Sequence, residues 1–148
     1  MVMQISSTAF ADGGSIPSKY TCDGGDVSPQ LAFVGVPREV KSLVLIVDDP
    51  DAPRGTFDHW IVWNIPPNTT SVAEGQEPKG IGGRNGFGKT TYGGPCPPSG
   101  EHRYFFKLYA LDTMVNLPAS AAKADVEKAM GGHTLATAQL MGRYKRGK

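Results

Sequence analysis

Short apolar runs alternate along the chain with polar stretches that are rich in glycine and proline. Three of these runs have the length and composition of β-strands, at residues 41–48, 57–65 and 103–111. Both faces of the first run are apolar, which is typical of a central strand covered on both sides by other layers. Two shorter strands are expected within residues 2–10 and 31–36.

The C-terminal end of the chain has a different composition. Residues 119–130 are predicted to form a helix, with Pro118 near the start and two glycines after the end. Residues 134–144 are predicted to form a second helix, which ends in the basic sequence RYKRGK. Between the strands, residues 68–100 are predicted to be long and irregular, and a segment of that length is usually functional or contains short strands.

The composition supports a small β-rich protein. A length of 148 residues favours a single domain, residues 1–148. The 19 glycines and 12 prolines are spread between the apolar runs, which indicates many turns and hence a mainly β fold.

The charge and the hydropathy pattern exclude several classes of function. A formal net charge of +1 gives no field that would recruit nucleic acid or a membrane surface. The longest apolar run, residues 43–47, is too short to span a bilayer. The first ten residues lack a signal-peptide pattern. We therefore expect a cytoplasmic protein without nucleic-acid partners or stable membrane insertion.

Cys22 and Cys96 are the two cysteines of the chain. Two cysteines are too few for a disulfide scaffold, so we expect free thiols that are at least partly buried. The sequence leaves open whether the two form a single disulfide. Because His102 follows Cys96 closely, a hydrolase that uses Cys96 and His102 is one alternative function.

Residues 83–90, GRNGFGKT, match the phosphate-loop pattern G-x-x-x-x-G-K-T letter for letter. That motif needs a buried strand before it and a helix after it, because the helix N-terminus holds the phosphates. The flanking sequences, EGQEPKGIG and TYGGPCPPSG, fit neither element. We therefore do not expect a nucleotide-triphosphate site.

Polar side chains collect at three predicted strand ends. His102 and Tyr104 share one face at the start of the third strand, because side chains alternate along a strand. Asp49 and Asp51 follow the end of the central strand, and His59 begins the next. By the same alternation, one face of residues 59–65 carries His59, Ile61, Trp63 and Ile65. If these strand ends meet, they form a pocket of two imidazoles, a phenol and carboxylates.

The same polar residues could instead have a structural role or bind a metal. Aspartate before proline often starts a turn, and single histidines at strand ends are often only hydrogen-bonded, so each residue alone could be structural. Two histidines with two or three aspartates could also ligate zinc or iron. No H-x-H, H-E-x-x-H or C-x-x-C spacing supports such a metal site.

Five segments carry a resemblance to a known family: CDGGDVSPQL (22–31), DDPDAP (48–53), HWIVWNIP (59–66), GPCPPSGEHRYFFKLYALD (94–112) and GGHTLATAQLMGRY (131–144). They resemble the phosphatidylethanolamine-binding protein family, which includes Raf kinase inhibitor protein, and in particular its small bacterial and archaeal branch. The resemblance implies a β-sandwich of antiparallel sheets with a few short helices, the last of them C-terminal. It also implies a small anion-binding pocket at one end of the sheet.

Carried over residue by residue, the resemblance implies a pocket built by Asp49, Asp51, His59, His102 and Tyr104, with Gly94, Pro95 and Pro98 on its rim. The carboxylates are expected to orient and charge the histidines, since a carboxylate partner favours imidazolium. We therefore expect a binding protein for a small anionic or phosphorylated ligand, without catalysis, cofactor or metal. The alternative is a protein-interaction module that inhibits a protease or modulates a kinase. The resemblance also implies a homodimer.

Overall fold

The computed structural model describes residues 2–146. Its strands are β1 (Gln4–Ser6), β2 (Leu31–Val34), β3 (Ser42–Asp49), β4 (Phe57–Ile65), β5 (Ser71–Val72), β6 (Ile81–Gly82), β7 (Glu101–Leu111) and β8 (Thr134–Lys145). The helix α1 spans Lys123–Met130, and one 3₁₀ turn spans Ser18–Tyr20. Gly147 and Lys148, the last two residues of the predicted basic sequence, lie outside the described residues.

The strands form two antiparallel sheets. The larger sheet has the order β6-β4-β3-β7-β8, and the smaller has the order β1-β2-β5. Apolar side chains between the two sheets form the main core, and a second cluster lies between the larger sheet and α1. The predicted mainly β fold of antiparallel sheets is confirmed.

Strand β3 is the central strand, as predicted. It pairs with β4 on one side and with β7 on the other, and all of its residues are buried. Leu43, Leu45 and Val47 face the main core, whereas Val44 and Ile46 face α1. Because both faces are covered, the strand has a continuous apolar sequence rather than an alternating one.

The second predicted helix is wrong, because residues 134–144 belong to strand β8, which pairs with β7 along its length except for an irregularity at Leu135. Alanine, leucine, methionine and glutamine favour helices, but tertiary pairing overrides so weak a preference. A two-residue period is the stronger signal in this segment. Every second side chain contacts the main core: Ala136, Ala138, Leu140 and Tyr144.

Helix α1 begins at Lys123 rather than at residue 119. Ser120 has a φ of 72°, in the left-handed region, which excludes it from a right-handed helix. The expected C-terminal helices are therefore reduced to α1 in the part of the chain that the structure describes. Neither α1 nor any other helix of residues 2–146 has the length and apolarity needed to cross a bilayer.

Two irregularities in β4 redistribute its side chains. The pairing with β3 shifts at His59, which becomes an extra residue, and again near Asn64, whose φ is 56°. Ile61 and Trp63 face α1, whereas Ile65 joins the main core and His59 contacts a ring of that core. The predicted common face of these residues is therefore wrong at both ends, because each irregularity reverses the alternation.

Cys22 and Cys96 form a disulfide, so the expectation of free thiols is wrong. The bond joins two loops that are far apart in sequence, and their meeting depends on the tertiary fold. Disulfides are most common in oxidising compartments, although intracellular proteins of hyperthermophiles also contain them. The expected cytoplasmic location stays a prediction.

We expect the disulfide to stabilise the fold. It links residues separated by 74 positions, and the chain-entropy model gives about 4 kcal/mol for a loop of this length. Urea titration with and without a reductant measures the change in unfolding free energy. The double variant Cys22→Ser with Cys96→Ser is the control, because it should not respond to the reductant. An unchanged midpoint for the wild-type protein would contradict the expected stabilisation.

Candidate functional site

A cavity of about 370 Å³ lies at the end of the larger sheet. The antiparallel pairing brings the end of β3 beside the starts of β4 and β7, and these strand ends form its floor. Loops complete the wall, and the lining residues are Asp49, Ala52, Pro53, Arg54, Gly55, Thr56, Phe57, His59, Phe87, Cys96, Pro97, Pro98, His102 and Tyr104.

The structure brings most of the predicted site residues together. Those that line the cavity are Asp49, His59, Pro98, His102 and Tyr104. The remaining predicted residues, Asp51, Gly94 and Pro95, do not line the cavity and instead hold its walls in place.

Asp51 fastens the segment after β3 to the start of β7. Its carboxylate accepts hydrogen bonds from the backbone N–H, Nε and Nη2 of Arg103, each at 2.9 Å. The bonds from Arg103 lower the pKa of Asp51 to about 2, so the carboxylate is charged at neutral pH. Asp51 therefore positions the two strand ends that carry Asp49 and His102.

Gly94 and Pro95 connect the rim of the cavity to the loop of residues 22–26. The N–H of Gly94 donates to Oδ1 of Asp26 at 2.8 Å. A Cβ at Gly94 would lie 2.3 Å from the carbonyl oxygen of Tyr20, so only glycine fits. The carbonyl oxygen of Pro95 accepts the N–H of Cys22 at 3.1 Å. These contacts and the neighbouring disulfide tie the rim to the loop that carries Cys22.

Asp49 and His102 form a buried pair at the base of the cavity. Nδ1 of His102 lies 2.6 Å from Oδ2 of Asp49, and both side chains are buried. A carboxylate only accepts hydrogen bonds, so Nδ1 carries the hydrogen and Nε2 is the nitrogen left to a ligand. Oδ1 of Asp49 accepts the N–H of Asp51 at 2.8 Å. Asp49 is thus held from two sides and fixes the orientation of the imidazole.

His59 is buried among aromatic rings. Its ring centroid lies 5.0 Å from that of Phe57, 5.6 Å from that of Phe87 and 5.2 Å from that of Tyr104. Nδ1 donates to the carbonyl oxygen of Gly93 at 2.8 Å, which fixes the tautomer. Burial lowers the pKa of His59, so its imidazole is neutral at neutral pH. The expectation that the carboxylates charge both histidines is therefore wrong for His59.

The hydroxyl of Tyr104 is a polar group without a partner. Tyr104 is 1% exposed and lines the cavity, and its oxygen has no hydrogen bond to any residue from 2 to 146. Burial and the nearby carboxylate of Asp49 raise the pKa of Tyr104, so the phenol keeps its proton. Leaving a buried hydroxyl unpaired costs free energy, so this group favours the entry of an acceptor into the cavity.

Sequence reasoning missed several residues of the wall, among them one basic and two aromatic side chains. These residues are Pro53, Arg54, Thr56, Phe57 and Phe87. Phe57 precedes His59 by two positions, and strand alternation would have placed the two on one face. Arg54 and Thr56 follow Asp51 closely in a turn whose path the apolar pattern does not specify. Phe87 carries no signal in the sequence, since it lies within an irregular loop.

Asn85 holds the loop that carries Phe87. Its amide donates to the carbonyl oxygens of His59 and Thr91, at 3.1 and 2.8 Å. Its Oδ1 accepts the N–H groups of Phe87 and Lys89, at 2.9 and 3.0 Å. No helix follows this loop in residues 91–100, as the sequence indicated. The segment GRNGFGKT therefore forms a wall of the cavity rather than a phosphate loop.

Asp48, the neighbour of Asp49, faces the opposite side of the sheet. Its Oδ2 lies 3.1 Å from Nζ of Lys107 and 3.3 Å from Nζ of Lys123. Lys123, the first residue of α1, also lies 2.8 Å from Oδ1 of Asp58. Adjacent aspartates thus have separate sets of partners, and only Asp49 belongs to the cavity.

Comparisons with known proteins point to one family. The family model for phosphatidylethanolamine-binding protein matches residues 6–145. A UPF0098 protein from Methanothermobacter thermautotrophicus is 53% identical over 151 residues, which cover 98% of this chain and 100% of the relative.

Two crystal structures are similar over almost the whole chain. A phosphatidylethanolamine-binding protein homologue from Chlamydia trachomatis is 46% identical, with a TM-score of 0.95 and coverage of 99% of both chains. YbcL from E. coli, described as a member of the mammalian PEBP family, is 33% identical, with a TM-score of 0.91. That match covers 99% of this chain and 100% of YbcL.

We expect acid to destabilise the fold through His59. An unfolded histidine binds a proton near pH 6.5, whereas burial lowers the pKa of the folded His59. Protons therefore favour the unfolded chain, and the stability contributed by His59 is lost as the pH falls through about 6.5. Urea titrations on either side of that pH measure the slope of unfolding free energy against pH.

His59→Gln should reduce this slope. His133→Gln changes an exposed histidine that pairs with Asp112 far from the cavity, and it should keep the part of the slope that His59 contributes. Equal slopes in all three proteins would contradict the effect of burial on His59.

Proposed function

The chain belongs to the phosphatidylethanolamine-binding protein family, and we propose that it binds a small ligand with an anionic group, such as a phosphomonoester, in the cavity at the end of the larger sheet. One observation carries this proposal: Tyr104, whose buried hydroxyl has no hydrogen-bond partner among residues 2–146, lines the same cavity as His102, whose ring Asp49 orients. A few polar groups that converge in an otherwise apolar cavity are typical of a small-molecule site.

The charges around the cavity favour an anion. Asp49 is paired with His102, and Asp51 is paired with Arg103 outside the cavity. Arg54 lines the cavity and has no acidic partner within residues 2–146, so its guanidinium is free to pair with a ligand. An anion also favours the protonated form of a nearby histidine, which adds a charge and a donor to the site.

The wall opposite these polar groups selects for an apolar body on the ligand. The rings of Phe57 and Phe87 lie edge to face with centroids 4.9 Å apart, and Pro97 and Pro98 extend the surface. A volume of about 370 Å³ suits a small molecule. The proposed ligand therefore combines an anionic head with a compact apolar or aromatic group.

We propose binding without turnover and without a cofactor. The hydrolase alternative needs Cys96 as a thiolate nucleophile. In the disulfide Cys96 has no thiol to ionise, so we do not propose a reaction that uses Cys96 and His102.

A role as a protein-interaction module that inhibits a protease or modulates a kinase stays a prediction. Such a role would fit the cavity if ligand entry alters the exposed loop around Phe87. A pull-down with and without phenyl phosphate separates the two cases, because a partner captured equally well in both does not depend on the cavity.

Tyr104→Phe should weaken the binding of phenyl phosphate by about 1.5–3 kcal/mol, the usual value of a hydrogen bond to a charged group. The unfolding free energy should stay the same or rise, since the hydroxyl has no partner to lose and its unpaired burial costs free energy. Tyr109→Phe is the matched control, because Tyr109 lies on the same strand but outside the cavity. Isothermal titration calorimetry measures the affinities.

His102→Ala should also weaken binding, because Asp49 holds Nδ1 of His102 and leaves Nε2 to the ligand. Equal affinities for wild type, Tyr104→Phe and His102→Ala would contradict the proposal. The five predicted residues, Asp49, Asp51, His59, His102 and Tyr104, would then have only structural roles in turns and at strand ends.

A further inference from the structure

The disulfide between Cys22 and Cys96 forms part of the cavity that the proposed function uses. Cys96 lines the cavity and is half-buried, whereas Cys22 begins a loop, residues 22–26, in which every residue is exposed. Both ends of the bond therefore lie close to solvent or to the cavity, where a thiol can reach them. Exposed disulfides are typically the labile or regulatory ones. The cavity wall thus contains a bond that a reductant can open.

The wall segment that follows the disulfide, residues 96–100, is weakly attached to the rest of the fold. It makes no backbone hydrogen bond with any residue from 2 to 146. Pro97 and Pro98 have no N–H to donate, so a small rearrangement cannot supply such bonds. The next fixed point along the chain is Glu101, where β7 begins. The disulfide is therefore the main attachment of the wall segment.

The hydrogen bonds of the adjacent rim all end on the exposed loop. The N–H of Gly94 donates to Oδ1 of Asp26 at 2.8 Å, and the N–H of Cys22 donates to the carbonyl oxygen of Pro95 at 3.1 Å. The loop itself forms neither a strand nor a helix. Exposed hydrogen bonds and few buried contacts are typical of a region that opens locally. These bonds therefore cannot replace the disulfide in holding the wall.

A separate contact keeps the loop attached to the fold when the disulfide is open. Asp23 accepts hydrogen bonds from the hydroxyl of Tyr144 and from Nε of Arg146. Tyr144 belongs to β8, and none of these three residues lines the cavity. Reduction should therefore loosen the wall segment while the two sheets keep their structure.

We propose that the disulfide controls ligand binding. The oxidised protein holds the wall segment in place and binds the anionic ligand, whereas reduction by a dithiol loosens the segment and weakens binding. A wall that is ordered before binding loses less conformational entropy when the ligand enters, so opening the bond lowers the affinity. This control rests on the proposed function of the cavity.

The chemical step is a thiol–disulfide exchange with a dithiol protein as the reductant. A thiolate of the reductant attacks Sγ of Cys22 and forms a mixed disulfide, while Cys96 leaves as a thiolate and takes up a proton. The second thiol of the reductant then displaces Cys22, so the reductant becomes a disulfide. The protein gains two electrons and two protons in total, and reoxidation restores the wall.

Hydrogen exchange measured by NMR tests the loosening without any ligand. The amide hydrogens of Cys22 and Gly94 join the loop to the rim, and dithiothreitol should make them exchange at least about tenfold faster. The oxidised variant Leu111→Ala is the matched control. Leu111 is buried at the end of β7 that is remote from the cavity. Its truncation destabilises the whole fold to an extent comparable with loss of the disulfide, but it should leave both exchange rates unchanged.

Isothermal titration calorimetry with phenyl phosphate tests the effect on binding, and a thiol assay confirms the redox state. The reduced wild type should bind at least about tenfold more weakly than the oxidised protein, the factor expected for ordering roughly one residue of backbone. Leu111→Ala should bind as the oxidised wild type does. The double variant Cys22→Ser with Cys96→Ser should bind as weakly as the reduced protein, with or without dithiothreitol.

Equal affinities for the oxidised and reduced wild type would overturn the redox control and leave the proposed function intact. Absence of binding by the oxidised protein would instead remove the proposed function and, with it, this control. Exchange rates that reduction does not change, or that Leu111→Ala raises equally, would also overturn it. A reduced protein that has lost its β-sheet signal in circular dichroism would overturn it as well, because the bond would then support the whole fold rather than the wall.

Discussion

The site depends on the buried pair between Asp49 and His102. Two ionisable groups removed from water are stable only when each satisfies the other, and removing one partner typically costs about 3–5 kcal/mol. The pair exists because β3 is buried on both faces, so that its last two residues, Asp48 and Asp49, need partners on opposite sides of the sheet. Lys107 and Lys123 neutralise Asp48, which leaves Asp49 to orient a histidine in the cavity.

The contacts that hold the cavity lie behind its walls. Three contacts each fix one part of the wall without occupying the space inside. They are the ion pair of Arg103 with Asp51, the disulfide of Cys96 and the hydrogen bonds of the Asn85 amide. Tyr104 lines the cavity, and its buried hydroxyl is by contrast unpaired among residues 2–146. The residues that support the wall have their hydrogen-bond partners within the protein, whereas a polar group of the cavity does not. Such a site is preorganised, because little loss of conformational entropy remains to oppose binding.

The sequence predicts the strands of this protein better than the loops that line the cavity. Continuous or alternating apolar runs specify β3, β4 and β7, and alternation alone places His102 beside Tyr104. The same rules cannot show that Asp49 lines the cavity whereas Asp51 does not. The contact between Asp51 and Arg103 depends on how the chain turns after β3. The disulfide and the position of Phe87 depend on loop paths that no local pattern encodes. Strand β8 is mistaken for a helix because its residues favour helices, and only pairing with β7 makes its two-residue period decisive.

The central claim is that the imidazole of His102 presents Nε2 to an anion while its Nδ1 stays hydrogen-bonded to Asp49. Nitrogen-15 NMR of histidine-labelled protein, titrated with phenyl phosphate near pH 6.5, observes both nitrogens of each ring directly. The account predicts that the Nε2 resonance of His102 shifts with added ligand while its Nδ1 stays protonated and the signals of His133 do not move. Binding of phenyl phosphate that leaves the Nε2 resonance of His102 unchanged would contradict it.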